Sequence, residues 1–179
     1  PHRVIMYQNP EVIYYPASAI KEAVKKFPTP FFLYEEKKLR ANCQNFRSAF
    51  EKYFPNFQPL YAVKANPNPD IVKIIASEGF GTDCSSAAEV WLSKKLKLKG
   101  MYTGNYTSEE EFKYILNKGQ IVNLDDISML PTLAKLGMPQ TLSFRINPGV
   151  GKATLESNVF AGPDAKYGVP FEKAPQAYK

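Results

Sequence analysis

Apolar positions along the chain alternate between two rhythms. Short β-prone runs, first Phe31-Phe32-Leu33-Tyr34 and then Leu60-Tyr61-Ala62-Val63, are each followed by a stretch of helical spacing. Leu39, Cys43, Phe46, Phe50 and Tyr53 recur at steps of four, three, four and three, one face of a helix that Pro55 and Pro59 end. Ile71, Ile74 and Ile75 carry the next helix, which stops at Gly79. The unit then repeats. Gly79 to Asp83 reads as a strand end and Ala87 to Leu96 as a helix. Met101-Tyr102-Thr103 is extended, and Ser108 caps a helix with Glu109, Glu110 and Glu111 in its first turn. Ile121-Val122-Asn123 and Thr141 to Ile146 are strands, and Ile127, Leu130, Leu133 and Leu136 form the helical stripe between them. After the first strand, strands begin about every 20 residues, the mark of repeated βα units and a parallel sheet.

Six such units precede residue 147. A closed (β/α)8 TIM-type barrel needs eight strands and typically about 250 residues. The pattern therefore fits either an open doubly wound sheet or a barrel cut short after about its sixth strand. The chain opens on Pro1 and stops at Tyr178-Lys179 inside a helix that begins at Phe171, so it reads as a fragment. Residues 1–30 differ in kind, with β-prone runs at Ile5-Met6-Tyr7 and Val12 to Tyr15 and a helix from Ser18 to Phe27. They suggest an additional β domain, so the expected division is 1–28 in that domain and 29–179 in the barrel. The segment 147–170, with Gly149, Gly151, Gly162 and Gly168, is long enough to expect a functional loop.

Composition narrows the class. Of 179 residues, 44% are apolar and 22% charged, which fits a globular domain and excludes collagen-like and disordered chains. The net charge of +6 suits anionic ligands without indicating nucleic acid. No run approaches 18 apolar residues and no signal peptide is visible, so neither a membrane span nor secretion is expected. With two cysteines, Cys43 and Cys84, a reducing, cytoplasmic location is the default. His2 is the single histidine, which leaves Ser-His-Asp hydrolysis, Cys-His proteolysis and His-rich zinc sites without support.

Catalytic groups in βα folds sit at the carboxyl ends of strands. Here those ends carry Lys64, Asp83, Gly104-Asn105, Asn123 with Asp125, and Arg145 with Asn147. Lys64 is the sharpest of them. At the end of an apolar strand, desolvation favours the neutral amine, which can form a Schiff base with a carbonyl. The bland alternative is a structural lysine, either snorkelling to solvent or salt-bridged, with Asp83 the candidate partner.

The context Tyr61-Ala62-Val63-Lys64-Ala65-Asn66-Pro67 resembles the signature around the cofactor lysine of fold-type III pyridoxal-phosphate decarboxylases, the group of diaminopimelate and ornithine decarboxylases. Three further blocks follow in the family's order: Gly81 to Glu89, Phe144 to Val150, and Lys166-Tyr167-Gly168-Val169. The resemblance covers about residues 29–179 and implies an alanine-racemase-like barrel. It implies that Lys64 holds pyridoxal 5′-phosphate as a Schiff base, with Ala62 beneath the cofactor. Asp83 and Glu89 would position Lys64 and the cofactor, and Arg145 would stand on the side of the ring's phenolic oxygen. The implied protein is a homodimer with shared active sites. The Arg145 to Val150 block leans toward diaminopimelate decarboxylase of lysine biosynthesis, and the Asp83-Cys84 block toward ornithine decarboxylase and its polyamine-pathway kin, including lysine, arginine and carboxynorspermidine decarboxylases. Ala87-Ala88 replaces glycines common in diaminopimelate enzymes, and Tyr106 and Thr107 stand where a lysine is frequent.

Rival readings are a class I aldolase, a non-catalytic homologue that regulates a partner, and a single-domain cofactor carrier. Weaker signals resolve blandly. The basic run Ser93 to Gly100 reads as a solvated helix end with Gly100 helping to end it, and Trp91 as packing. Asn105-Tyr106-Thr107 is a chance glycosylation sequon, and Cys84 a small buried hydrophobe rather than a reactive thiol.

Overall fold

The computed structural model describes residues 17–152, 161–163 and 165–179. The two β-prone runs within 1–16 lie outside the described residues. The chain separates into two compact units, Pro1–Glu35 and Glu36–Lys179. In the first, helix α1 (Ala17–Lys26) sits where the periodicity places it. Phe31 to Tyr34, expected as the first strand, carries no regular secondary structure, and Phe32 is 90% exposed. β-propensity describes fit to a pleated, half-buried surface, and this run is not set in one.

The second unit begins with α2 (Glu36–Glu51), then β1 (Leu60–Ala62), α3 (Pro69–Ser77) and β2 (Gly81–Cys84). It continues through α4 (Ala87–Lys95), β3 (Gly100–Tyr102), α5 (Glu109–Leu116) and β4 (Ile121–Leu124). The last elements are α6 (Leu130–Leu136), β5 (Leu142–Phe144), β6 (Ile146–Asn147), β7 (Val169–Pro170) and α7 (Ala174–Ala177). Five strands form a parallel sheet in the order β1-β2-β3-β4-β5, and β6 pairs in parallel with β7.

That order decides between the two architectures left open by the strand count. A doubly wound sheet reverses direction at a switch point, whereas strands laid down in sequence order by right-handed crossovers put every helix on one face. The burial pattern agrees. Thr82, Cys84, Tyr102, Val122, Leu124 and Phe144 face the helices and are buried. Their neighbours of opposite parity, in the registers Ala62↔Asp83, Asp83↔Met101 and Asn123↔Ser143, form the other face. This is a partial (β/α) barrel wall, with helices outside and an interior face on which Asp83, Asn123 and Ser143 stand beside Ala62 and Met101.

Local chemistry sets the helix starts. Asn68 accepts hydrogen bonds from the amides of Asp70 and Ile71, Ser86 from Glu89, and Ser108 from Glu111. Gly100 opens β3 because a Cβ there would collide with the carbonyl oxygen of Thr82 on the adjacent strand. It does not end α4. That helix stops at Lys95, and the left-handed residue beyond it is Lys97, at φ 58°.

Three further expectations change. The stripe on α2 buries only Cys43 fully, while Phe46 and Phe50 stay 46% and 39% exposed, their rings 4.9 Å apart. The helix expected from Ile127 starts as a 3-10 turn, with Asp126 capping Ser128, before α6. Trp91 is 54% exposed, because α4 turns Val90, Leu92 and Ser93 inward and leaves position 91 outside, with Lys95 Nζ 5.6 Å from its ring.

Candidate active site

The interior face of the sheet holds a cavity of about 350 Å³ lined by Ala62, Lys64, Asp83, Ser85, Met101, Thr103, Asn123 and Arg145. One side-chain period runs through all five strands, so each strand end delivers a residue to the same space. Lys64, Ala62, Asp83 and Arg145, all singled out from the sequence, therefore meet. A hollow of about 340 Å³ is lined by Lys64, Ser85, Thr103, Asn105, Arg145 and Tyr167.

Lys64 does not continue the strand. β1 ends at Ala62, and Val63–Ala65 form a 3-10 turn with Val63 wholly buried and Lys64 exposed on the cavity side. The desolvation expected at the end of an apolar strand is therefore absent in this part of the barrel. Nor is the amine tied up structurally. Among the described residues Lys64 forms no ion pair or hydrogen bond, so the pairing with Asp83 does not occur.

Asp83 sits half-buried at the centre of the charged groups. Burial raises its carboxyl above the ordinary range, Lys64 and Arg145 pull it down, and Glu89 pushes it up. The folded value lies above the unfolded one, so the folded state holds its proton to higher pH. Stability then falls as pH rises through that window. Asp83→Asn is thus expected to raise the Tm of the cofactor-free protein at neutral pH. The gain should vanish below about pH 4, where the acid is protonated in both states, and thermal melts of parent and variant across that range check it.

Glu89 does not line the cavity. It stands behind Ser85, accepting from the Ser85 amide at 2.8 Å and from its hydroxyl at 3.1 Å, and Ser85 in turn lines both hollows. Across β3, β4 and β5 runs a ladder of neutral donors. Asn123 Nδ2 donates to Thr103 Oγ1 at 3.0 Å, and Ser143 Oγ donates to Asn123 Oδ1 at 2.6 Å. Ser85 and Thr103 were legible by counting two residues on from Asp83 and Met101. Tyr167 carried no such signal, because it reaches the site through the pairing of β6 with β7.

Cys84, next to Asp83, points to the opposite face and is fully buried. Desolvation pushes its thiol up to about 11. Iodoacetamide at neutral pH is expected to leave Cys84 unmodified in the native protein and to label it after denaturation, read by mass spectrometry. A grouping of histidine, cysteine or acidic residues able to hold a metal ion is absent among the described residues. No helix among them is long and apolar enough to cross a membrane.

Residues 36–179 match the family model described as the pyridoxal binding domain of pyridoxal-dependent decarboxylases. The chain is 32% identical over 163 residues to the protein TabA of Pseudomonas amygdali pv. tabaci, covering 89% of this chain and 38% of that protein. It is equally 32% identical over 163 residues to diaminopimelate decarboxylase of Methanothermobacter thermautotrophicus, covering 88% and 38%. Among solved structures, Helicobacter pylori diaminopimelate decarboxylase complexed with L-lysine superposes with a TM-score of 0.81 at 26% identity, over 89% of this chain and 42% of that one. The chain thus spans about two fifths of the length of these relatives.

Proposed function

Because the chain belongs to the pyridoxal-dependent decarboxylases, we propose that the whole protein removes a carboxylate from a diamino acid, diaminopimelate first, at the cavity around Lys64. One observation carries the reading: an exposed primary amine, with no hydrogen bond or ion pair among the described residues, opens into a cavity walled by Ala62, Asp83 and Arg145.

The donor set fits pyridoxal 5′-phosphate. Lys64 would hold its aldehyde carbon covalently, and the small side chain of Ala62 leaves room for a flat ring. Arg145 would meet the ring's oxygen with spare N–H donors, and Asp83, whose carboxyl feels the charges of Lys64 and Arg145, would orient the amine. Glu89 would act through Ser85, whose hydroxyl it fixes. When bound, the cofactor supplies a sink for the electron pair left by the departing carboxylate. Ser143 donates to Asn123 and Asn123 donates to Thr103, which keeps that wall polar without adding charge.

By the same membership the protein would work as a homodimer with shared active sites, in the cytoplasm. Residues 1–28 would belong to a β domain and 29–179 to the barrel. Diaminopimelate is favoured by the Arg145 to Val150 block and by the relatives of that name. Ornithine and other polyamine precursors are the second choice, on the Asp83-Cys84 block.

The test is an absorption spectrum of the full-length protein, followed by borohydride reduction and peptide mapping. A visible band trapped on Lys64, with release of carbon dioxide from diaminopimelate, supports the proposal. A colourless protein that gains no band with added pyridoxal 5′-phosphate overturns it.

A further inference from the structure

Arg145 is held from two directions. Its Nη1 donates to Asp125 Oδ1 at 3.0 Å, and the Asp125 side chain is only 6% exposed against 36% for Arg145. The ring of Tyr167 lies over the guanidinium, 4.7 Å from centroid to the central carbon. The Asn105 carboxamide lies 3.0 Å from the second oxygen, Oδ2, and donates to it in the amide orientation that satisfies both groups.

The backbone explains why these groups converge. Arg145 interrupts the strand between β5 and β6. Its amide donates to the Leu124 carbonyl at the end of β4, and its carbonyl accepts from the Val169 amide at the start of β7. Asp125 follows the first contact by one residue and Tyr167 precedes the second by two. Gly168 between them has φ +81°, and a Cβ there would lie 3.0 Å from the Asn147 amide nitrogen. The close approach that seats Tyr167 over Arg145 thus depends on a glycine at that point.

An ion pair alone would be a structural detail, but Arg145 also walls three hollows. It lines the two around Lys64 and a third, of about 310 Å³, with Asn147, Lys152 and Tyr167. A guanidinium carries five N–H donors in a rigid plane. A clamp that uses one edge and one face fixes that plane and leaves the other donors for a ligand.

We propose that Asp125 and Tyr167 are positioning residues, which hold the Arg145 guanidinium with its remaining donors turned toward the cofactor ring. This rests on the reading of the cavity as a pyridoxal 5′-phosphate site. Asp125 acts through Arg145 on one oxygen and holds Asn105, which lines the hollow around Lys64, on the other.

The test uses the full-length protein freed of cofactor and titrated with pyridoxal 5′-phosphate, with Kd read from visible absorbance and Tm measured in parallel. Arg145→Met and Asp125→Asn should each raise Kd by about tenfold or more, the scale of losing a charge-assisted hydrogen bond. The double variant should bind no more weakly than the worse single one, because the second change removes nothing that remains. Tyr167→Leu should raise Kd several-fold and Tyr167→Phe should match the parent, since the aromatic face does the holding. Multiplying effects of Asp125→Asn and Arg145→Met, or an unchanged Kd in Asp125→Asn, would overturn the proposal. If Asp125→Asn does not fold, the cycle of Tyr167→Leu with Arg145→Met decides by the same criterion. Failure of the underlying reading looks different: the parent itself would show no band and no trapped Lys64.

Discussion

Lys64→Ala is expected to abolish borohydride-trapped cofactor and to lower decarboxylation by about 10³-fold or more, the scale of losing a group on which the chemistry turns. Lys64→Arg should be equally dead although the charge is kept, because a guanidinium stays protonated and is not available as an amine. Both variants should fold as the parent does. Lys64 is exposed and unpaired among the described residues, so its loss should change unfolding free energy by no more than about 0.5 kcal/mol. Intact mass after reduction, activity and a denaturant titration measure the three quantities separately. Loss of activity together with a large loss of stability would show Lys64 to be structural.

The largest effect on stability is expected at Phe112. It is 1% exposed and belongs to the cluster that joins the helices to the sheet through Tyr102, Val122, Leu124 and Leu133. Phe112→Ala removes most of a ring from a close-packed layer and should cost about 3–5 kcal/mol. Phe112→Leu, which refills much of the volume, should cost less than about 2 kcal/mol. Chemical denaturation of the cofactor-free protein checks both. Equal losses in the two variants would mean that the ring's shape, rather than the volume it fills, is what the core requires.

These outcomes divide along the line between fold and chemistry. Residues facing the helices set stability, and residues facing the interior can be exchanged with little structural loss. Asp83 is the extreme case, since the burial that places it in the site also makes its ionised form unfavourable in the folded protein, against the pull of Lys64 and Arg145. Sites of catalysis commonly trade stability in this way.

Much of this was legible along the chain. The βα repeat, the helix from Ala87, the Ser108 cap and the convergence of Lys64, Asp83, Asn123 and Arg145 follow from local patterns. Caps reach three residues, helical stripes four and strand parity two, so neighbours in sequence suffice to determine them. Strand order, and with it the choice of a barrel over an open sheet, was decided by pairing between distant segments. The same is true of the turn that exposes Lys64, the outward face of Trp91 and the missing strand at Phe31 to Tyr34. The partners of Arg145 belong there too. Asp125 stands 20 residues before it, just past the end of β4, and Tyr167 is brought over it when β7 pairs with β6. The sequence by itself determined which residues reach the rim of the sheet, because alternation is a property of a single strand. Only the tertiary structure decided what each one meets there, because burial and partners arise where strands distant in sequence lie side by side.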